Sequence, residues 1–324
     1  MGDGVRVLRR DDVRAALGMA GCIDVVEAAF VAASEGRTEL PGVIHLDVPD
    51  GGGEVHVKAG YVHGSAAYAV KVASGFTGAD AGGPGAGRTS AIDGLVLVFD
   101  ASDGSLRALL LDGGELTDLR TGAAGGVAAR WLAPSAVRRV AVIGTGIQAR
   151  RQVEALRVVH PEVREVRVWG RDPARTAAAA ADVGGEVAHT VEQAAAAADV
   201  VITCTASREP LVFLDMLAPG AHVTAVGSDG AGKQELDPAI VRAADVVVVD
   251  SLDQCRRLGE LQHAPGEAAR AVELGDVIAG RAPGRTDDAQ QTVCDLTGVG
   301  VQDVAAATAV LAGAGPSAGE VLDP

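Results

Sequence analysis

The sequence predicts an α/β protein in which a doubly wound parallel sheet is joined to an N-terminal α+β domain. Three observations predict it. Between residues 138 and 250, short apolar runs alternate with Ala-rich stretches of helical length, as parallel strands covered on both faces do. Before residue 134 the apolar runs alternate with polar positions and end at Gly-rich turns, as antiparallel strands do. One apolar run, "RRVAVIG", leads directly into a glycine turn and then a helix-like stretch.

Composition sets the bounds. A chain of 324 residues suggests two domains, and 48% hydrophobic residues can bury a substantial core. Aromatics are only 2%, so that core must be built from Ala, Val, Leu and Ile. A net charge of −15 argues against nucleic-acid and anionic-membrane partners. Cys22, Cys204, Cys255 and Cys294 share no CxxC spacing, and the seven histidines show no ligand spacing, so no metal site is expected. With no apolar segment of spanning length and no signal-peptide pattern, the expected setting is a reducing cytoplasm.

Taken in order, "CIDVVEAAFVAASEG" reads as a helix, and "EVHVKAGYV", "AYAVKVASGF", "DGLVLVFDASDG" and "LRALLLDGG" as strands, with "DASDG" as a hairpin turn. "GADAGGPGAGR" (78–88) reads as a loop without assigned function. "TDLRTGAAGGVAARWLAP" is a helix ending before Pro134. Beyond it, "IQARRQVEALRVVH" is a helix stopped at Pro161 and "EVRVW" a strand. "DPARTAAAAADVG" is a helix capped by Asp172, with Pro173 at its first position and Gly184 after it. "TVEQAAAAA" is capped by Thr190, "DVVITC" is a strand, "DMLAPG" closes a short helix, and "AHVTAVG" is a strand. "DPAIVRAA" starts at Asp237-Pro238 and leads to the strand "DVVVVD". The expected division is 1–133 for the first domain, completed by a C-terminal helix over 304–324, and 134–303 for the second.

Gly144-Thr145-Gly146-Ile147-Gln148-Ala149 follows a strand and opens a helix, which turns a weak pattern into a Rossmann dinucleotide fingerprint. Gly144 permits the tight turn, Gly146 lets backbone approach a pyrophosphate, and Ala149 permits close helix–strand packing. Helical N–H groups supply the phosphate site. The second strand ends in Gly170-Arg171-Asp172. A small residue followed by arginine suits a ribose 2′-phosphate, so NADPH is expected in preference to NADH. Asp172 can reach the ribose instead, or cap the next helix.

"LTDLRTGAAGGVAARWLAP", "VAVIGTGIQAR", "AVGSDGAGKQELDP" and "LGDVIAGRAPGR…LTGVGVQDVA" resemble the successive motifs of the ornithine cyclodeaminase/μ-crystallin family. The resemblance implies a Rossmann domain, an N-terminal domain that forms a homodimer, and NAD(P)-dependent chemistry on small carboxylate-bearing amino-acid derivatives. It assigns Asp229 as catalytic aspartate and Lys233 as a lysine approaching the cofactor. Lys71 becomes a substrate-binding and catalytic lysine, and Arg120 an arginine near substrate and nicotinamide. Thr205 becomes a cofactor contact and Gly298 part of the substrate pocket. Asp229 directly follows a sheet strand, where open α/β sheets carry their chemistry. Many members carry an arginine before the first sheet strands; here that stretch is "LPGVIHLDVP", with His45 and no arginine. Lys58, on the same strand face as His56, is expected to take over its grip on a carboxylate, less directionally than a guanidinium. The expected reaction is reduction of a C=N bond beside a carboxylate. Cyclodeamination with recycled cofactor and a non-catalytic ligand-binding role are the alternatives.

Overall fold

The computed structural model describes residues 4–76 and 91–322, so the loop expected over 78–88 lies outside the described residues. The chain divides into two compact units, Met1–Arg120 with Gly300–Pro324, and Thr121–Val299. The division falls inside a helix, where the sequence suggested a break after it at 133, and again at Gly300 instead of 304.

The first unit begins with β1 (Val5–Arg9), α1 (Arg10–Ala16) and α2 (Met19–Ser34), followed by β2 (Thr38–Glu39), β3 (Ile44–Val48), β4 (Gly53–Val62), β5 (Ala67–Phe76), β6 (Ala91–Asp100) and β7 (Leu106–Leu111). The helix α3 (Glu115–Leu132) then runs on into the second unit. There follow β8 (Arg139–Ile143), α4 (Ile147–Val159), β9 (Glu165–Trp169), α5 (Pro173–Asp182), β10 (Glu186–Val187), α6 (Val191–Ala195) and β11 (Val200–Thr203). Next come β12 (Arg208–Val212), β13 (His222–Ala225), β14 (Gln234–Leu236), α7 (Pro238–Ala243) and β15 (Val246–Val249). The second unit closes with α8 (Leu252–Leu258), β16 (Val272–Glu273), α9 (Leu274–Ile278) and β17 (Thr292–Asp295). The chain then returns to the first unit as α10 (Gly300–Gly313) and β18 (Glu320–Leu322).

The first unit holds an eight-stranded sheet in the order β18-β1-β7-β6-β5-β4-β2, with β3 also on β4. Its pairings are antiparallel except β1 with β7. Strand alternation aims one side of each strand at α10, which packs on β4, β5 and α2. A transverse row on that side runs Lys58, Lys71, Val96, Leu110 and Leu8. Val96, Leu110 and Leu8 are buried, and so is Lys71, which stands in the series Ala67, Ala69, Lys71 where an apolar residue would ordinarily sit. The C-terminal helix expected over 304–324 is corrected: it spans Gly300–Gly313, and after a turn the chain pairs with β1 as a strand. Pro316 cannot continue a helix.

In the second unit all pairings of the main sheet are parallel, in the order β10-β9-β8-β11-β13-β17-β15-β16. Val140 and Val142 of β8 enter one apolar cluster with α4 and α5, while Ala141 and Ile143 enter another with α6 and α7. Both faces are therefore covered, and the α/β doubly wound architecture expected from sequence is present. Asp172, Thr190 and Asp237 accept backbone N–H bonds at the starts of α5, α6 and α7. The short helix at "DMLAPG" is a single 3-10 turn, Leu214–Met216. At Gly125 on α3 a side chain would overlap Gln152 of α4, whose Nε2 donates to Thr121 O at 3.0 Å. Among the described residues no single helix is long and apolar enough to cross a membrane.

Candidate functional site

In the second unit the strand order reverses between β8 and β11, and the glycine turn leaves β8 at that point. Such a switch point is where open α/β sheets bind ligands. Gly144 has φ 141° and a Cβ there would stand 2.6 Å from Cys204 Sγ, so no side chain fits. Gly146 is the N-cap of α4 with no side-chain cap hydrogen bond, and a Cβ on it would meet nothing within 4 Å. Uncapped helical N–H groups beside open space fit a dinucleotide pyrophosphate. Arg150 braces the turn, donating from Nη1 to the carbonyls of Thr145 and Gly146 at 2.9 Å each and from Nε to Asp182 at 2.8 Å. Ile147 is exposed, and Gln148 Oε1 accepts from Gln152. Arg171 is exposed beside Gly170. Asp172 caps α5 through Arg175 N at 3.0 Å, the second of its two readings from sequence.

Asp229 follows β13 and its Oδ1 accepts from Lys233 Nζ at 2.5 Å. Thr205 N donates to Glu235 Oε1 at 2.5 Å, and Glu235 Oε2 also accepts from Gly227 N. Gly298 N donates to Asp250 Oδ2 at 2.6 Å, and Asp250 also takes Thr297 N and Oγ1. Glu260 accepts from Glu235 N and Leu236 N, and Asp295 from Leu261 N. Burial raises these acids: Asp250 and Glu235 above the usual carboxylate range, Asp295 to about 7 and Glu260 to about 9, the last two with neighbouring carboxylates adding. They tie the loops that carry Thr205, Asp229 and Gly298.

In the first unit Lys71 and Arg120 meet on one acid that the sequence reading did not single out. Lys71 Nζ donates to Asp303 Oδ1 at 2.6 Å and Arg120 Nε to the same oxygen at 2.9 Å. Arg120 Nη1 also donates to Gln302 Oε1 at 2.7 Å, which turns the Gln302 amide N–H outward from the guanidinium. Lys71, Arg120, Gln302 and Asp303 are buried, and Lys58 is the cross-strand partner of Lys71. Two like charges opposed across a sheet need a counter-charge, and Asp303 supplies it. Burial lowers Lys71, Asp303 opposes and Arg120 and Lys58 assist, leaving it at about 7. Burial alone would raise Asp303, but Arg120, Lys71 and Lys58 outweigh that and hold it at about 2. Two basic groups, Lys71 and Arg120, thus share one carboxylate oxygen. Gln302 Nε2 and Asp303 Oδ2 have no hydrogen-bond partner among the described residues. A signal for Asp303 did exist: Gln302-Asp303 interrupts an otherwise apolar helix, and a buried acid requires partners. Arg150 had no comparable signal. The histidine spacing suggested no ligand set, yet the β3–β4 pairing gathers His45, Glu54 and His56.

Residues 5–314 match the ornithine cyclodeaminase/mu-crystallin family. The chain belongs to that family. A putative dehydrogenase of Rhizobium meliloti (strain 1021) is 44% identical over 299 residues, covering 89% of this chain and 88% of that protein. The iminosuccinate reductase of Paracoccus denitrificans, solved with NAD+, superposes with a TM-score of 0.86 at 30% identity and 96% coverage of both chains. Thermococcus litoralis Δ1-pyrroline-2-carboxylate reductase, solved with NADH and L-proline, gives 0.87 at 26% identity, covering 96% of this chain and 97% of that one. The ornithine cyclodeaminase/mu-crystallin family comprises NAD(P)-dependent oxidoreductases and cyclodeaminases, which supports an enzyme with a nicotinamide cofactor.

Proposed function

We propose that this chain is an NAD(P)H-dependent oxidoreductase that reduces a C=N bond adjacent to a carboxylate, yielding an amino acid from an imino acid or cyclic imine. The observation that carries the reading is the buried cluster of Lys71, Arg120 and Asp303, with Lys58 opposite and the Gln302 amide donor unpaired among the described residues. Two basic groups sharing one acid, beside a buried N–H that has no partner among the described residues, favour a small anion, and a carboxylate suits both. The turn Gly144-Thr145-Gly146-Ile147-Gln148 with Thr205 and Lys233 would hold the cofactor, and Gly298 would line the substrate pocket. Bound there, the nicotinamide supplies hydride.

Lys71, Lys58 and Arg120 hold the carboxylate and so fix the orientation of the imine carbon. Asp229, kept in place by Lys233, manages the proton on the imine nitrogen, an effect of ~100- to 10,000-fold in general acid–base catalysis. NADPH is the preferred cofactor in this reading, because the exposed Arg171 guanidinium follows the second strand where a carboxylate would repel a 2′-phosphate, and Asp172 is engaged in capping. The same reading takes the protein as a cytoplasmic homodimer, which light scattering tests for the dimer.

NADPH oxidation with a panel of imines tests the proposal. The panel comprises Δ1-pyrroline-2-carboxylate, Δ1-piperideine-2-carboxylate, and glyoxylate, pyruvate or oxaloacetate with ammonia or methylamine. Turnover of one of them with stoichiometric NADPH loss is expected. Ammonia release from ornithine without net NADPH loss would identify a cyclodeaminase instead, and ligand binding without either would identify a non-catalytic member.

A further inference from the structure

We propose that His45, Glu54 and His56 form a site for one divalent cation of the Zn2+, Ni2+ or Cu2+ class on the β3–β4 hairpin. The register of the hairpin places His45 directly opposite His56, and the next pair on the same face is Asp47 opposite Glu54. The two imidazoles face each other with ring centroids 4.7 Å apart, and His45 Nδ1 lies 2.7 Å from His56 Nε2. A Glu54 carboxylate oxygen stands 3.9 Å from the same His56 Nε2. One ligand atom from each of the three residues lies within 4.8 Å of the other two.

A second feature points the same way. Asp47 Oδ1 lies 3.0 Å from His45 Nε2, on the side of the ring away from His56. A carboxylate there takes the Nε2 proton as a hydrogen bond and leaves the Nδ1 lone pair for a metal, the usual outer partner of a ligating histidine. Two imidazole nitrogens and one carboxylate suit borderline metals, whereas Ca2+ and Mg2+ prefer all-oxygen sets. Without the cation the two nitrogens share a proton. On binding, that proton leaves the space between the rings, and both lone pairs turn to the metal. The side chains of His45, Glu54 and His56 are 46%, 51% and 35% exposed, so a cation enters from solvent without unfolding, and solvent fills the remaining coordination positions.

The inference concerns binding and is independent of the reductase reading. Untagged, chelator-stripped protein is titrated with Zn2+ by calorimetry and with Co2+ by visible spectroscopy. One equivalent per chain is expected, with Co2+ giving the intense d–d bands of a four- or five-coordinate nitrogen-containing site. His45→Ala and His56→Ala should each lower affinity by more than the ~10- to 100-fold expected for Asp47→Ala, which removes only the orienting group. His63→Ala, at the distant His63–Glu39 pair, should leave binding intact. Circular dichroism and urea midpoints confirm that these exposed substitutions preserve the fold. The proposal fails if wild type takes up no Zn2+ at large excess, or if the double variant His45→Ala/His56→Ala binds as wild type does. It also fails if Co2+ shows only the weak bands of an octahedral oxygen set.

Discussion

Each unit contains one lysine–carboxylate pair central to the functional reading, and the two contacts are nearly equal in length: 2.6 Å for Lys71–Asp303 and 2.5 Å for Lys233–Asp229. Their surroundings differ. The first pair is 5% and 4% exposed and shares its oxygen with Arg120; the second is 27% and 50% exposed and stands on a loop. Equal distance therefore does not mean equal energy. In the buried pair, loss of one partner strands charge in a medium that cannot solvate it. In the exposed pair water replaces either partner at little cost, so the contact between Asp229 and Lys233 can open without penalty of that size.

The two pairs should respond differently to mutation. Asp229→Asn should reduce kcat by ~100- to 10,000-fold. Its urea unfolding free energy should stay within ~0.5 kcal/mol of wild type. Asp303→Asn should show the reverse emphasis, with a stability loss of ~3–5 kcal/mol in the same unfolding measurement. A stability loss in the Asp229 variant as large as that in the Asp303 variant would remove the distinction.

Lys58→Ala sharpens the picture from the margin of the buried cluster. It should raise KM for a carboxylate substrate ~10-fold, equivalent to about 1.4 kcal/mol, with kcat little changed. An unchanged KM would assign carboxylate binding to Lys71 and Arg120 without it.

The gentlest probe is pH, because the units carry opposite slopes. Folding lowers Lys71 from 10.5 to about 7, so the folded chain binds fewer protons than the unfolded chain between those values. Its contribution to stability therefore rises with pH across that window. Folding raises Glu260 from 4.5 to about 9 and Asp295 from 3.8 to about 7. The folded chain then binds more protons, and this contribution falls as pH rises through those ranges. Urea titrations at a series of pH values should show the fall flattened by Glu260→Gln and the alkaline rise removed by Lys71→Met. Unchanged slopes in either variant would refute its assignment.

The second unit was far more legible in the sequence than the first. Its strands are short apolar runs, its helices start at Asp172, Thr190 and Asp237, and its glycine turn has a fixed place after a strand; all of these are local signals. The strand Thr292–Asp295 escaped because "TVCD" is too short to show a period, yet it lies between β13 and β15. In the first unit the decisive facts are long-range. Lys71 meets an acid 232 positions away, and β1 pairs in parallel with β7, relations that no spacing reveals. Lys71 and Arg120 are assigned by the family motifs, whereas the ion pairs that join them to Asp303 depend on α10 lying on β5.

The discontinuity of the first unit has a consequence for how the chain matures at the ribosome. Thr121–Val299 is contiguous and can complete its sheet as soon as it has emerged. The strand β5 and the start of α3, although synthesised earlier, carry two basic side chains, Lys71 and Arg120, whose shared acid arrives only with residues 300–313. Contrary to the usual N-to-C sequence of domain folding, the earlier-made part must wait for the later one. A released chain truncated before Gly300 should therefore resist protease across residues 121–299 while its leading segment is still digested.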